Sequence, residues 1–409
     1  MNPLSRSDMF SSSFFLHLKS VLHPVVAGFV SIIVGYGSTF VLILQAAKAA
    51  NLSPELTASW VWSASIGAGV TGLFLSWRHR EPIITAWSTP AIAFLITAFA
   101  TTSYAEAIGA YMISAAAFIV LGLSGYFEKL IRIIPSGIAA GLLAGILLQF
   151  GVAAFGTITV EPILAGFLMV IYVLLKRFTA RYAVLGIFLL GLGFLLLQQR
   201  MDLSDITFAF AKPVFTFPVF SIQALLSVAI PIFLITLTGQ YMPGILVLRN
   251  DSFKTSANTI VAVTGLGSLI MSVFGSTAVT SAAITAAICT GKEAHEDPSK
   301  RWIAGISCGL LYVLIGIFGV TLARIFMAFP NTFIAILAGL ALLGTIVNSL
   351  STAMAEAKSR EAALITFVAT AANIKFLGIG GAFWGALIGL FAYVFLNGDF
   401  SKLGKYWQR

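Results

Sequence analysis

The chain has 409 residues, of which 59% are hydrophobic and 10% are charged, with a formal net charge of +9 at pH 7. Water-soluble domains carry about 25% charged residues, so this composition excludes an ordinary water-exposed surface and indicates a protein embedded in lipid. Open strand edges and loops cannot face lipid with unpaired backbone groups, so we expect an all-α membrane protein. The basic residues flank apolar segments, a pattern that orients membrane helices, and we expect no nucleic-acid partner.

Apolar segments alternate with short polar stretches along the whole chain, and a run of about 20 apolar residues can cross ~30 Å of hydrocarbon as a helix. We predict fourteen of them, at residues 24–47, 56–76, 82–101, 105–125, 134–150, 160–175, 182–198, 219–247, 256–273, 275–290, 302–323, 330–352, 361–374 and 378–396. The fifth, sixth and thirteenth are short, which leaves the count open by two.

The basic residues give an independent test of this count. If both termini are cytoplasmic, 19 of the 24 Lys and Arg residues fall on the cytoplasmic side and 5 on the other. This bias is the one that the positive-inside rule requires. We therefore predict a multi-pass protein of the bacterial inner membrane with both termini in the cytoplasm.

An internal repeat relates the two halves of the chain. Residues 121–148 and 315–343 share glycines, a proline and a Leu-Ala-Gly triplet at an offset of 194–195. This offset divides fourteen spans into seven plus seven, and an odd number per half makes the second repeat inverted. The predicted parts are a cytoplasmic tail (1–23), a first repeat (24–198), an extracytoplasmic linker (199–218), a second repeat (219–396) and a cytoplasmic tail (397–409).

The third segment of each half is predicted to be broken. In the first, β-branched residues lead to Ser88, Thr89 and Pro90, which are typical of a helix cap followed by the first helical turn. In the second, a glycine at 275 precedes small and β-branched residues, and we expect Thr280 or Ser281 to cap the helix. Two ordinary spans, one kinked by its proline, are the alternative.

Two half-helices related by inversion would direct both N-termini at the middle of the membrane. Each N-terminus offers free N–H groups and about half a positive charge, so the pair would bind an anion without a buried Lys or Arg. Gln240 and Tyr241 lie in a glycine-rich part of the eighth segment, and Tyr241 with Trp87 could stack a planar ring. Polar groups of this kind also bridge helices for purely structural reasons.

The candidate substrate-binding residues are therefore Trp87, Ser88, Thr89, Gln240, Tyr241, Thr277, Thr280 and Ser281, with Gln45 and Thr85 as further candidates. The acidic loop at 293–297 is better explained as a solvated loop than as a metal site. Cys289 and Cys308 lie inside apolar segments and indicate neither a disulfide nor a metal centre. Since no catalytic or phosphate-binding motif occurs, we expect neither an enzyme nor a bound cofactor.

At these segments the chain resembles the BenE family of benzoate:proton symporters. The resemblance is carried by Val26–Val30, Thr85–Pro90, Pro243–Arg249 and Ala283–Gly291, and by the stretches at 293–295, 297–298 and 382–385. The family is distantly similar to nucleobase–cation symporters, which have a seven-plus-seven fold. This resemblance implies a core domain of segments 1–4 and 8–11, a gate domain of segments 5–7 and 12–14, and a substrate held between them.

The expected function is secondary active transport, namely symport of a benzoate-like aromatic carboxylate with a proton across the inner membrane. A nucleobase or another small heterocycle is the alternative substrate, and an uncoupled anion channel is the second alternative. The expected partners are a small-molecule substrate and the lipid bilayer, with the proton as coupling ion. A homodimer is left open.

Overall fold

In the computed structural model, the described residues are 6–127, 135–178, 183–201, 209–292, 294–321, 328–374, 376 and 381–397, and the side chains of residues 6–20 are not among them. The outer parts of the two predicted tails (1–5 and 398–409) lie outside this set. So do residues 202–208 of the predicted linker, Glu293 of the acidic loop, and the parts of the repeated segments at 128–134 and 322–327.

The described chain is almost entirely helical. Its helices and strands, in order, are α1 (Arg6–Ala49), α2 (Pro54–His79), β1 (Thr85–Trp87), α3 (Thr89–Ala98), α4 (Tyr104–Ser124), α5 (Ser136–Gly156), α6 (Pro162–Phe178), α7 (Ala183–Leu197), α8 (residues 222–250), α9 (Ala257–Ser272), β2 (Val279–Ser281), α10 (Ile284–Thr290), α11 (Trp302–Ile317), α12 (Asn331–Ala355), α13 (Arg360–Ala371) and α14 (Gly381–Asn397). Helix α8 contains two π-helical turns, Leu225–Ala229 and Leu237–Tyr241. Short 3-10 turns lie at Thr157–Thr159 and Pro298–Lys300.

Local chemistry fixes several helix ends close to the predicted boundaries. Ser53 accepts the Leu56 N–H as the cap of α2, and Ser103 with Glu106 forms a complete capping box at the start of α4. Helix α4 ends at Gly125, whose φ of 75° suits a residue without a Cβ. Helix α1 differs most from the prediction, because it begins at Arg6 and continues through Pro24.

Six helices of the described chain are long and apolar enough to cross a membrane. They are Pro54–His79, Tyr104–Ser124, Ser136–Thr159, Ile222–Arg249, Pro298–Ile317 and Asn331–Ala355. Shorter apolar helices, including Thr89–Ala98 and Ala257–Ser272, pack among them. The chain is therefore a mostly helical membrane protein, as its composition predicted.

The most extensive helix packing joins elements of the two halves. Helix α2 packs along α11, α4 packs along α9, and α5 packs along α12. Helices α12, α13 and α14 gather around or beside α5, whereas α1 packs on α3, α10 and α11. The segments that contain the strands thus lie among α1, α2, α8, α9 and α11.

The two strands pair antiparallel in the interior, with Thr85 opposite Ser281, Ala86 opposite Thr280 and Trp87 opposite Val279. Two further backbone bonds lengthen the ladder at its ends, from Ser88 N–H to Ala278 O at 2.9 Å and from Ala282 N–H to Ile84 O at 2.9 Å. Every strand residue except Ala86 is buried. Each strand therefore satisfies the backbone groups of the other inside the bundle, where an unpaired group would be costly.

Residues 209–221 are extended and cross one end of the bundle. They contain residues 209–218 of the predicted linker and the three residues that follow, and we call residues 209–221 the linker. Its backbone is bonded to α2 at Ser59, which accepts the Val214 N–H at 2.8 Å. It is also bonded to the end of α9, where Val273 O accepts the Thr216 N–H at 2.8 Å, and to α4, where Ala105 O accepts the Val219 N–H at 3.0 Å. The linker thus lies over the ends of three helices at once.

Candidate substrate site

The N-terminus of α3 is capped as the sequence predicted. Ser88 has extended backbone angles, and its hydroxyl accepts the Ala91 N–H at 3.4 Å. The helix starts one residue earlier than expected, so Pro90 is its second residue and half-buried Thr89 its first. The pairing of β1 with β2 fixes this start deep in the protein, because the Ser88 N–H is held by β2's neighbour Ala278.

Helix α8 meets this N-terminus at its second π turn. The Ser88 hydroxyl is 3.0 Å from that of Thr236, and both side chains are fully buried. A Cβ on Gly239 would lie 3.3 Å from Pro90 Cγ and 3.1 Å from Leu143 Cδ2 of α5, so α3, α8 and α5 converge here. The half-buried Gln240 belongs to the same turn. Single π turns inside α-helices are frequent at functional sites, since they redirect backbone and side chains.

An aromatic cluster stands beside the strands. The Trp87 Nε1–H donates to Thr39 Oγ1 of α1 at 3.0 Å. Its ring makes edge-to-face contacts with Tyr36 at 4.9 Å and Tyr312 at 5.7 Å between ring centroids. Tyr36 also contacts Phe40, with ring centroids 5.5 Å apart. We call Tyr36, Phe40, Trp87 and Tyr312 the aromatic cluster, and it supplies apolar ring surface next to the capped helix.

The second half-helix does not have the predicted cap. Helix α10 begins at Ile284 after Ala283, and no side chain caps it. Thr280 and Ser281 belong to β2 instead, because pairing with β1 holds their backbone extended. The Thr280 hydroxyl reaches Ala86 O only at 3.4 Å. The buried hydroxyls of Thr277 and Ser281 have no hydrogen-bond partner among the described residues.

Two other candidate residues, Thr85 and Tyr241, are held by neighbouring helices. The Thr85 hydroxyl donates to Ala68 O at 2.5 Å and accepts from Thr71, which ties β1 to α2. The Tyr241 ring packs against Phe118 and Phe127 rather than beside Trp87. Its hydroxyl is bonded to Thr264 at 2.7 Å and to Val279 O at 3.3 Å.

Gln45 is half-buried on α1, six residues beyond Thr39. At 1.5 Å of rise per residue this is about 9 Å further along the helix. The structure therefore brings together Trp87, Ser88, Thr89 and Gln240, with Thr277, Thr280 and Ser281 on the second strand segment, and places Gln45, Thr85 and Tyr241 around them.

Sequence reasoning missed four residues that hold this site. Thr39 and Thr236 bond to Trp87 and Ser88, and Tyr36 and Tyr312 pack against the Trp87 ring. A weak signal was present in the first segment, where residues 35–40 read Gly-Tyr-Gly-Ser-Thr-Phe within an otherwise apolar helix. The side chains at Tyr36 and Thr39 are three apart and so share one face of α1.

The charged groups near this region lie at the helix ends rather than at the strands. The Lys48 Nζ at the end of α1 donates to Asn331 Oδ1 at the start of α12 at 2.5 Å. Glu161 accepts two bonds from Arg200, at 2.6 and 2.9 Å, and one from Thr332. The bonds from Arg200 lower the pKa of the Glu161 carboxyl, so this carboxylate stays ionised.

Comparison with known proteins assigns the chain. The family model described as "Benzoate membrane transport protein" (BenE) matches residues 19–395. The chain is 41% identical over 375 residues to the benzoate membrane transport protein of Acinetobacter baylyi, which covers 92% of this chain and 95% of that protein. It is 38% identical over 383 residues to the inner membrane protein YdcO of Escherichia coli, covering 93% and 98%.

Solved structures show the same fold at low sequence identity. The transmembrane domain of the cyanobacterial bicarbonate transporter BicA superposes with a TM-score of 0.59 at 15% identity, over 92% of this chain and 98% of that chain. The structure of SLC26A9 gives a TM-score of 0.64 at 12% identity, over 91% and 64%. The expectation of a transport protein rather than an enzyme is confirmed by the family match, and the chain belongs to the BenE family of benzoate membrane transport proteins.

Proposed function

We propose that this protein is a secondary active transporter that moves a small aromatic carboxylate of the benzoate class together with a proton across the bacterial inner membrane. One observation carries the proposal: the capped N-terminus of α3 and the aromatic cluster lie side by side on the paired strands. A helix N-terminus favours a carboxylate, and the rings favour a planar apolar body. The Acinetobacter baylyi relative carries benzoate in its name, and the Escherichia coli relative is named an inner membrane protein.

The donors at the N-terminus of α3 define how a carboxylate would bind. Pro90 has no N–H, and the Ile92 N–H is already bonded to Ser88 O at 3.0 Å. Among the described residues no acceptor is bonded to the Thr89 N–H, and the bond from the Ala91 N–H to Ser88 is long. A carboxylate would therefore take the Thr89 N–H and the hydroxyls of Ser88 and Thr89, with its ring toward Trp87.

In this proposal the coupling proton is bound to the substrate carboxylate during transport. The residues that surround Ser88 and Trp87 in the described structure are hydroxyl, aromatic and aliphatic ones. A carboxylate moved out of water into such surroundings has its pKa raised, because burial disfavours the charged form. A carboxylate and one proton then cross together as a neutral unit, and no protein carboxylate is required.

We further propose fourteen spans in two inverted repeats of seven, with α1–α4 and α8–α11 as the core domain and the remaining helices as the gate domain. The packing supports this proposal. If helices seven positions apart correspond, α2 corresponds to α9 and α11 corresponds to α4. The pair α2 and α11 and the pair α9 and α4 are both closely packed, as this correspondence requires. Helices α5 and α12 correspond to each other and also pack together. Both termini would be cytoplasmic, and residues 199–218 would lie outside the membrane on the opposite side.

Uptake of labelled benzoate into proteoliposomes tests the function. With the outside acidic, we expect saturable accumulation that collapses when an uncoupler is added. The Ser88→Ala variant should raise the benzoate KM. Ser124→Ala is the matched control, because it removes the same group at the end of α4, where the hydroxyl donates to Leu121 O and accepts from the Tyr126 N–H. Competition by uracil or xanthine with benzoate inert would favour a heterocycle carrier, and uptake indifferent to the uncoupler would favour a channel. No uptake and no binding of benzoate would overturn the proposal.

A further inference from the structure

A second group of polar aromatic residues lies under the linker, away from the aromatic cluster. Trp60 of α2, Phe99 after α3 and Tyr104 of α4 form a triangle, with ring centroids 6.3 to 6.4 Å apart. Tyr111 follows Tyr104 by seven residues on the same face of α4 and is fully buried, as is Trp60. We call Trp60, Tyr104, Tyr111 and Ser276 the outer polar cluster.

The members of this cluster share one unusual property. The Trp60 Nε1, the hydroxyls of Tyr104 and Tyr111 and the Ser276 Oγ are all buried, and none has a hydrogen-bond partner among the described residues. Several other buried hydroxyls in the bundle are bonded, for example those of Thr85, Tyr241 and Ser268. Isolated unpaired hydroxyls also occur, at Thr102, Thr277, Ser281, Thr290 and Thr370, but the outer polar cluster gathers four unpaired groups in one region. An indole N–H only donates, and no acceptor among the described residues, including the hydroxyls of the cluster, is hydrogen-bonded to the Trp60 Nε1.

Gly275 brings the chain that leads to β2 against this cluster. Its φ of +112° is a conformation that side chains rarely allow. A Cβ there would lie 2.5 Å from the Tyr104 hydroxyl and 3.0 Å from Trp60 Cβ. Ser276, with its unpaired hydroxyl, follows directly, so three residues that carry unpaired groups lie next to one another where the glycine lets the backbone approach.

The linker closes the outer side of this region. It is bonded to Ser59, next to Trp60, to Ala105, next to Tyr104, and to Val273, two residues before Gly275. The same linker residue Val219 leaves no room for a Cβ on Gly109 of α4. Every element that contributes to the outer polar cluster is thus also a point where the linker is attached.

The inner side of the cluster leads to the substrate site. Ser276 is followed by Thr277, whose buried hydroxyl is also unpaired, and then by Ala278, whose carbonyl accepts the Ser88 N–H. An extended chain advances about 3.3 Å per residue, so Ser276 lies within about 7 Å of the residue bonded to the cap of α3. The hydroxyls of Tyr104, Ser276, Thr277 and Ser88 therefore belong to residues that lie one after another from the linker to the substrate site.

We propose that the outer polar cluster holds internal water, and that this water with the hydroxyls of Tyr104, Tyr111, Ser276 and Thr277 conducts the coupling proton from the linker side to the substrate carboxylate at Ser88. Water supplies the acceptor that Trp60 needs and a donor or acceptor for each hydroxyl, as buried water does for unpaired groups elsewhere. Each hydroxyl gives up one proton as it receives another, so it ends unchanged and the proton finishes on the substrate carboxylate. The proton part rests on the proposed function; the water part does not.

Radiolytic hydroxyl-radical labelling of the full-length protein in detergent, read by mass spectrometry, tests for the water. Internal water generates radicals beside the side chains that it touches. Tyr111 and Tyr241 are a matched pair, because both are fully buried but only Tyr241 has its hydroxyl bonded to protein groups. We expect Tyr111 to be labelled several-fold faster than Tyr241. Equal rates would overturn the internal water and with it the route.

The variants Tyr104→Phe, Tyr111→Phe and Ser276→Ala test the proton route. We expect each to slow proton-driven benzoate uptake several-fold, while benzoate binding by thermal shift and benzoate exchange at equal pH stay at the wild-type level, since exchange needs no net proton movement. Unchanged uptake in all three would overturn the route. If the wild-type protein transports no benzoate, the proposed function and the route fail together, and the labelling result still decides whether water is present.

Discussion

The two half-helices that meet at the paired strands are held in opposite ways. Helix α3 has ten residues and is fixed at its N-terminus, where Ser88 caps it and bonds to Thr236. Helix α10 has seven residues, has no side-chain cap at its N-terminus, and is fixed at its C-terminus. There the Arg301 guanidinium donates to the carbonyls of Thr290, His295 and Glu296, at 2.7, 2.7 and 3.3 Å.

This difference shows that inversion of a repeat does not make its two halves equivalent. A carboxylate needs free donors, and α3 presents them beside the aromatic cluster. The carbonyl end of α10 carries partial negative charge, which a guanidinium stabilises. We therefore infer that the first half supplies most of the anion binding and that the second half supplies the strand and the anchored loop which keep α3 in place.

Loss of the Arg301 anchor should have the largest effect. Arg301 is only 4% exposed and donates to three backbone carbonyls. The Arg301→Met variant leaves these carbonyls without their donor, and we expect the free energy of unfolding to fall by about 3 kcal/mol. Denaturant titration in detergent measures it, and Arg301→Lys should restore part of the loss.

Arg249 offers the matched control, because it also donates to two carbonyls, those of Phe253 and Thr255, but its side chain is exposed. Arg249→Met should cost less than about 1 kcal/mol, as for most exposed positions. If the two variants lose the same stability, α10 does not depend on a buried anchor.

Removing a hydroxyl from the first or from the second half of the chain at the strand pair should have different effects on benzoate affinity. Ser88→Ala removes the cap of α3, which costs about 1 kcal/mol of stability, and a ligand of the carboxylate. We expect benzoate affinity to fall about tenfold, equivalent to about 1.4 kcal/mol. Ser281→Ala removes a hydroxyl that is unpaired in the described structure, and affinity should change by less than about twofold, or about 0.4 kcal/mol.

Titration calorimetry with benzoate measures both variants, and Ser88→Thr serves as the control that keeps the hydroxyl. Equal losses from Ser88→Ala and Ser281→Ala would mean that the site is symmetric. A larger loss from Ser281→Ala would place the carboxylate on the second half.

The sequence was sufficient for features that depend on neighbouring residues. Apolar length located most of the helices to within a few residues, and the order Ser88, Thr89, Pro90 located the start of α3, because capping involves groups three residues apart. The prediction for α10 was wrong for the converse reason. Thr280 and Ser281 have the chemistry of caps, but their backbone pairs with residues 194 and 196 positions earlier, and that pairing keeps them extended.

The partners of the site residues were beyond local reasoning. Trp87 is held by Thr39, 48 residues away, and Ser88 is bonded to Thr236, 148 residues away. Which hydroxyls meet is decided by which helices pack together, and apolar spans of similar composition do not encode that choice. Only the polar run in the first segment marked α1 as a helix with an inward polar face.

The smallest expected effect is a difference in pH dependence between the C-terminal ends of α3 and α10. The turn after α3 is stabilised by Glu106, whose carboxylate accepts from the Ser103 hydroxyl and N–H at 2.7 and 3.0 Å and from Ser221 of the linker at 3.0 Å. In all three bonds the carboxylate oxygens accept, as the ionised form of Glu106 does. The stabilisation is therefore present at neutral pH and weakens in acid, where a glutamate carboxyl becomes protonated. The anchor of α10 consists of bonds from a guanidinium to backbone carbonyls and contains no carboxylate. We expect the melting temperature in detergent to fall below about pH 4 in the wild type, and Glu106→Gln to lower it at pH 7 and remove that part of the pH dependence. Ser221→Ala, which removes only the linker bond, should have a smaller effect of the same sign. A pH profile that is identical in the wild type and Glu106→Gln would show that the end of α3 has no titratable support.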